Sequence, residues 1–290
     1  MGDDYLFERA IILGSGKLAF RCAVLTREHL ADVEVLEYKI TESTVLRALC
    51  DKEGILYRCC SKDELNERLM QEQRKCLVVS AANSYLIPQR VIEKENLVVI
   101  NWHNALLPAH KGRNAEAWSI YAGDEMTGIT WHMVTGDVDA GDIIVQEKIL
   151  IDEGMTALKL YQRQCELGAE VYGRMLETVL KGGCRLRRQM PAGTEAMHYS
   201  WERPNDGYLE TDWDSTKMSR FLRAMDYGGL LLLGQMHVRW EENEYHFHRY
   251  KISEKSGEGD SFADGNLTLH RGAYEIVLRG LKRRDGSEEI

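Results

Sequence analysis

Short apolar runs alternate with helix-period patterns through the first half of this chain. The runs at Arg9–Leu13, Val33–Lys39, Cys76–Ala81, Val98–Trp102, Thr127–Val134 and Ile143–Ile149 are short and apolar, and they predict strands. Between several of them, Lys17–His29, Glu42–Asp51, Lys62–Gln73 and Gln89–Glu95 predict helices. Strands alternating with helices point to an α/β fold with a parallel sheet. In open sheets of that kind, ligands sit beyond the carboxyl ends of strands, where the strand order reverses. Met155–Lys181 predicts one long helix, with Leu158, Leu160, Leu167, Val171, Met175 and Leu180 on its apolar face and Gly182-Gly183 as its stop. After Cys184–Met190 the pattern becomes short and turn-punctuated. A helix over Ser215–Ala224 precedes expected strands at His237–Trp240, Tyr245–Ile252, Asn266–Arg271 and Tyr274–Arg279, with a Gly/Ser/acidic loop at Lys255–Asp264. The pattern divides the chain into a larger α/β domain, residues 1–185, and a smaller β-rich domain, residues 195–290.

Composition narrows the classes. With 44% hydrophobic and 29% charged residues, the chain has the balance of a globular domain. No apolar run reaches transmembrane length; Gly228–Gly234 is far too short, so no membrane partner is expected. Met1-Gly2-Asp3-Asp4 lacks the basic-then-apolar pattern of a secretory signal, and Leu6 stands where a myristoylation signal needs Ser or Thr, so the expectation is a cytoplasmic protein. The seven cysteines are an odd number, with Cys59-Cys60 adjacent and no CxxC spacing, which suits reduced thiols. A formal charge of −9 disfavours a large nucleic-acid footprint, and the basic cluster Arg185–Arg188 reads as a solvated linker at a helix end.

The chemistry concentrates between Val98 and Ile144. Asn101 and His103 sit two apart at the end of a predicted strand, so they share a face, and Asp137, Asp139 and Asp142 follow in a Gly/Asp loop. Acyl transfer to an amine needs donors for the oxygen on which negative charge develops and an acceptor for the amine proton. Asn and protonated His can donate to such an oxygen. A nearby carboxylate can hold the His charged and accept a proton through water. Neither a covalent nucleophile nor a metal is needed. Other readings fit the same residues: a structural strand-end histidine, turn chemistry, or a cation loop, although a distal Glu at the usual spacing is absent. His246-Phe247-His248 has no third ligand near it in sequence and reads as a solvated β face, and His110, Lys111 and Arg113 read as loop cations near the site. Gly14-Ser15-Gly16, with Ala19 following, fits the looser dinucleotide fingerprint, with Glu34 or Glu37 at the distance of a ribose acid. A bare tight turn, or a helix N-terminus presented to another anion, fits it equally.

The ordered blocks Asn101-Trp102-His103, Ala105-Leu106-Leu107-Pro108, Lys111-Gly112, Thr127-Gly128-Ile129-Thr130 and Val138-Asp139-Ala140-Gly141-Asp142 resemble the core of the formyltransferase family, which includes glycinamide ribonucleotide, methionyl-tRNA and sugar-nucleotide formyltransferases. The resemblance implies a Rossmann-like N-terminal domain and N10-formyltetrahydrofolate as co-substrate, with no metal. It places the catalytic roles on Asn101, His103 and Asp139. It also sets the pterin of the folate against Asn83, Ser84, Tyr85, Leu86 and Ile87, and against Val134, Gly136, Asp137, Val138 and Asp142, recognised by backbone groups. Trp102 either packs under the strand end or shapes the acceptor pocket. Beyond about residue 180 the likeness thins to Pro204–Gly207, Thr211–Trp213 and Leu222–Gly228, runs similar to methionyl-tRNA-type and natural-product-type members. The acidic charge argues against tRNA. The implied acceptor is therefore a primary amine on a small molecule or a carrier-bound aminoacyl group, as in peptide-synthetase systems, with an amino-sugar nucleotide close behind. Methionyl-tRNA formylation, formyltetrahydrofolate hydrolysis and a non-catalytic folate-binding relative are the alternatives; strand one beginning near Arg9 leaves no room for a hydrolase's N-terminal regulatory domain. Apolar strands in the C-terminal domain could pair between subunits as a homo-oligomer.

Overall fold

The first strand, β1 (Arg9–Gly14), is buried at every position, because parallel strands lie on both sides of it and helices cover both faces. The structure, a computed structural model, describes residues 5–38, 44–190, 196–254 and 257–284. After β1 come α1 (Gly16–Arg27), β2 (Val33–Tyr38), α2 (Val45–Glu53), β3 (Leu56–Cys60), α3 (Lys62–Gln71), β4 (Cys76–Ala81), α4 (Gln89–Ile92) and β5 (Leu97–His103). Then follow β6 (Lys111–Gly112), α5 (Ala115–Ala122), β7 (Met126–Met133), β8 (Ile143–Leu150) and the long α6 (Ala157–Leu180). The sheet order is β3-β2-β1-β4-β5-β7-β8. Strands β1 to β5 pair in parallel, and β7 runs antiparallel to β5. The expected α/β class with a parallel centre is what forms, and the order reverses between β1 and β4.

Strand β3 and helix α5 lie outside the sequence expectations, as do the short pieces Lys111–Gly112, Met197–His198, Pro204–Gly207, Tyr208–Leu209 and Lys282–Arg283, and the expected Lys255–Asp264 loop carries a strand at Ser261–Ala263 that pairs with residues 266–268. Strand β3 is an edge strand whose side chains alternate between exposed and partly buried, with Leu56 exposed and Arg58 carrying charge, so no apolar run marks it. Helix α5 is apolar on most sides and starts from Asn114 in a left-handed conformation without a side-chain cap, which removes both the periodicity and the capping signal. The expected helix over Gln89–Glu95 ends at Ile92. Lys39, Glu42 and Ser43 of the expected second strand and second helix, and Lys255 and Ser256 of the expected loop, lie outside the described residues.

The chain packs as two compact units. The first comprises Met1–Gly112, Gly128–Ile149 and Gln162–Met197, and the second Arg113–Thr127, Leu150–Tyr161 and His198–Ile290. Within the first unit, a buried ion cluster ties strands to helix at the amino ends of β1 and β2. Arg9 contacts Glu34 and Glu72 at 2.8 Å each, and Arg68 reaches the same two carboxylates at 2.7 and 3.3 Å. Burial alone would raise the Glu34 carboxyl, but Arg68 and Arg9 outweigh it and hold the group below its ordinary value. Glu72 is likewise held down to about 2: burial opposes this, and the Arg74 amide and Arg9 prevail.

In the second unit, α5 lies beside α7 (Ser215–Ala224), with Tyr121 and Phe221 edge-on at 6.5 Å. Short strands β9 (Met197–His198) and β10 (Tyr208–Leu209) precede β11 (Met236–Trp240), β12 (Asn243–Phe247), β13 (Arg249–Glu254), β14 (Ser261–Ala263), β15 (Asn266–Arg271), β16 (Tyr274–Arg279) and β17 (Lys282–Arg283). The larger sheets run β10-β11-β12-β17 and β13-β16-β15-β14. The expected single strand Tyr245–Ile252 is thus two strands in different sheets, broken at His248. The run Arg223–Gly228 is packing machinery: Arg223 donates to the Met155 carbonyl at 3.0 Å, Tyr227 to Glu116 at 2.6 Å, and Asp226 accepts from the Gly228 amide and from Tyr250.

Candidate active site

Glycines set the backbone around the sheet's carboxyl end. A Cβ on Gly14 would sit 1.9 Å from the Ala81 carbonyl oxygen, and Gly16 opens α1 at φ +62°, so the Gly14-Ser15-Gly16 turn is fixed by a close approach to β4. Ser15 spends its hydroxyl on the Ala82 carbonyl at 2.8 Å. Glu34 is engaged by arginines and Glu37 by Tyr57 and Thr44, so neither carboxylate is placed as a ribose acid, and the tight-turn reading is the one the geometry supports.

The polar exit of β5 is held by the motif residues that follow it. Thr130 on β7 donates to the Ala105 carbonyl at 2.7 Å and accepts from the Leu107 amide at 3.1 Å, pinning the Leu106-Leu107-Pro108 turn, whose Leu107–Pro108 bond is cis. Gly128 lets β8 approach: a Cβ there would lie 2.0 Å from the Glu147 carbonyl oxygen. From α6, the fully buried Gln164 donates to the carbonyls of Asn104 and Gly128. Trp102 packs under the strand end, its indole against Gly168 of α6, so it is a support and not a pocket wall.

Asn101, His103 and Asp139 come together as the sequence suggested. Asp139 Oδ2 lies 3.4 Å from His103 Nδ1 and accepts the Gly112 amide at 2.8 Å, while Oδ1 lies 3.5 Å from Asn101 Nδ2. His103 Nε2 donates to the His110 carbonyl at 2.9 Å. Asp139 itself has φ +50°, a left-handed conformation that Asp tolerates better than most residues. The loop behind it is clamped by Gln189, which donates to the carbonyls of Asp139 and Gly141, and by Gly141, where a Cβ would lie 1.8 Å from the Met133 oxygen.

Burial works against charge on Asp139, yet His103, His132 and the Gly112 amide outweigh it and hold the carboxyl well below the usual range. Burial also pushes the His103 imidazole down, and Asp139 offsets this only in part. The cluster therefore carries an ionised carboxylate beside an imidazole kept toward its neutral form. An amide donor, an imidazole donor and a buried proton acceptor at one strand end suit stabilisation of a developing oxyanion with removal of a proton.

The two segments expected to meet a pterin lie beside each other. Ile87 and Val134 pack against the same apolar cluster, and Gly136 approaches Gln89 so closely that a Cβ would lie 2.4 Å from its side-chain oxygen. Asn83 is consumed in shaping its own loop, accepting from the Tyr85 amide and donating to the Tyr85 carbonyl. Tyr85 is buried with its hydroxyl on Asn66. Ser84, Leu86, Gly136, Asp137 and Val138 are exposed, and Asp142 is partly buried with its carbonyl on the Met133 amide.

Two residues at the site carry no motif signal. His132 on β7 faces Asn101 across the β5–β7 pairing, and Gln189 comes from the segment after α6. A histidine inside the apolar run Thr127–Val134 was the available clue to the first; nothing local marks the second. The Arg185, Arg187 and Arg188 side chains are exposed, as a linker would have them, while the Arg187 backbone bridges to Ile143. His246 sits opposite His237 within its sheet and His248 is exposed.

Comparison with known proteins agrees with this geometry. A family model described as formyl transferase matches residues 17–176. The chain is 34% identical over 152 residues to GDP-perosamine N-formyltransferase of Brucella melitensis biotype 1, covering 51% of this chain and 56% of that protein. It is 30% identical over 151 residues to methionyl-tRNA formyltransferase of Desulfotalea psychrophila, covering 52% and 46%. The chain thus spans about half the length of the curated relatives it matches. In fold it resembles an N-formyltransferase from Helicobacter canadensis crystallised with folinic acid and dTDP-3-aminofucose, with a TM-score of 0.73 at 14% identity, covering 96% of this chain and 100% of that one.

Proposed function

The chain belongs to the formyl transferase family, and we propose that it moves a formyl group from N10-formyltetrahydrofolate to the primary amine of an amino-sugar nucleotide. The observation that carries the reading is the convergence of Asn101, His103 and Asp139 at the end of β5, inside the ordered N-x-H, T-G-x-T and D-x-G blocks. A GDP-perosamine enzyme and a protein crystallised with a dTDP-amino sugar among the relatives support an amino-sugar nucleotide ahead of a carrier-bound aminoacyl group.

In this reading the folate supplies an activated formyl carbon. Backbone groups of the 84–87 and 134–138 loops, where Ser84, Leu86, Gly136, Asp137 and Val138 are exposed, hold the pterin next to Asp139. As the amine attacks, Asn101 donates to the carbonyl oxygen, and the His103 Nε2 proton turns from the His110 carbonyl to the same oxygen. Asp139 accepts the amine proton through water, which its ionised state permits. The new C–N bond forms, the bond to the folate nitrogen breaks, and that nitrogen takes a proton.

The test is formyl transfer from N10-formyltetrahydrofolate across a panel of GDP- and dTDP-amino sugars, an aminoacyl carrier thioester and methionyl-tRNA. Product with an amino-sugar nucleotide, and turnover that depends on it, is expected. Formate release at the same rate with and without any amine would show a hydrolase instead.

A further inference from the structure

We propose that Gln189, in the extended segment after α6, is a positioning residue for Asp139: its side-chain amide fixes the backbone from which the carboxylate projects, and turnover depends on it through that carboxylate. The kinetic consequence rests on the formyl-transfer reading, while the placement itself stands on hydrogen bonds alone.

The register that delivers Gln189 is set by one backbone bridge. Ile143, the first residue of β8, donates its amide to the Arg187 carbonyl at 2.8 Å, and Arg187 donates back to the Ile143 carbonyl at 2.9 Å. When 187 and 143 pair antiparallel, residue 189 comes alongside residue 141. Gln189 Nε2 lies 2.8 Å from the Gly141 carbonyl oxygen and 2.9 Å from that of Asp139. Both oxygens can only accept, so both amide protons of Gln189 point to the loop. That orientation depends on no protonation state.

Asp139 needs such a hold. Its backbone sits at φ +50°, a region in which a non-glycine residue stays only where its surroundings fix it. At the base of the loop, the Val134 amide reaches the Val99 carbonyl and the Met133 amide reaches the Asp142 carbonyl, both at 2.9 Å. Those bonds fix the ends of the loop, and Gln189 fixes the carbonyl of Asp139 itself. The Gly112 amide then meets the Asp139 carboxylate at 2.8 Å. Gln189 thus holds the main chain of Asp139, and Gly112 holds its side chain. Without the Gln189 amide the carboxylate is still present, but its place beside Asn101, His103 and Gly112 is no longer enforced.

The test compares the wild type with Gln189→Met, which keeps the volume and has no donor, and adds Asp139→Asn to complete a double-mutant cycle. In the wild type, both side-chain amide protons of Gln189 should exchange with solvent at least about tenfold more slowly than those of an exposed glutamine. Equal rates overturn the proposal without recourse to any variant. In Gln189→Met the Gly112 amide should exchange at least about tenfold faster, while the amides of β1 and of Lys111, which the Ala196 carbonyl holds at 3.1 Å, keep their rates. An equal rise at all of them marks general loosening and rejects a positioning role. The Met variant should lose about 10- to 100-fold in kcat. With Asp139 already replaced by Asn, the same change should cost less than about threefold, because Gln189 acts through the carboxylate. Additive losses, or full kcat in the Met variant, reject the proposal. Should no amine be formylated, the function proposed above fails, and the exchange rates alone decide the role of Gln189.

Discussion

Gly112 donates its backbone amide to Asp139 Oδ2 at 2.8 Å, and so ties the loop after the Leu-Leu-Pro turn to the acidic loop after β7. Two residues earlier, His110 offers its carbonyl to His103. A three-residue stretch therefore holds both the carboxylate and the imidazole, and the orientation of each depends on backbone and not on another flexible side chain.

Replacing Asp139 with Asn keeps a residue that tolerates the left-handed backbone here and retains an acceptor for Gly112. It removes the negative charge. Turnover should fall by about 10²- to 10⁴-fold, with a lower melting temperature at neutral pH, because the fold favours the ionised carboxylate that Asn lacks. Steady-state kinetics beside a melting curve check this, and undiminished kcat would exclude Asp139 as the proton acceptor.

Asn101→Ala deletes a donor to the developing oxyanion and should cost about 10²- to 10³-fold in kcat. KM for the folate should move little, because the loops expected to hold the pterin do not use this side chain. A variant whose whole loss lies in KM would place Asn101 in ground-state binding.

Gly141→Ala forces a Cβ to within 1.8 Å of the Met133 carbonyl oxygen, so the Asp139 loop must shift away from β7. We expect a destabilisation of about 1–3 kcal/mol and a larger loss of activity than that figure alone implies, since Gln189 clamps this loop through the Asp139 and Gly141 carbonyls. Urea titration and a kinetic assay on the same preparation compare the two; a variant as stable and as active as wild type contradicts the close approach.

Arg9→Leu removes one of the two arginines that Glu34 and Glu72 share, leaving Arg68, and should destabilise the first unit by about 1–3 kcal/mol at neutral pH. The wild type itself should weaken in acid. Both carboxyls have folded-state pKa values below their unfolded ones, Glu72 at about 2, so their contribution is complete above the unfolded value near 4.5 and is lost as pH falls toward 2. Asp139 shifts in the same direction and adds to that slope. Denaturant unfolding at several acidic pH values measures it, and a flat profile over that range refutes the assignment.

Much of the fold was legible because buried parallel strands must be apolar along their whole length: β1, β4 and β5 announce themselves as runs, and helix Ser215–Ala224 by its period. The edge strand β3 escaped because one side of it faces solvent, and α5 because it lacks both a polar face and a side-chain cap. Asn101, His103 and Asp139 were legible because their residue types and spacing match one chemistry. The sequence by itself determined which chemical groups this protein has and roughly where each strand ends. Only the tertiary structure decided that β7 turns antiparallel to β5, and with it that His132 meets Asn101 and that Thr130 holds the Leu107 turn. It also decided that Gln189 reaches the Asp139 loop from 50 residues away. Such partners are chosen by strand register and chain reversal, which depend on packing between distant segments and leave no local mark on either one.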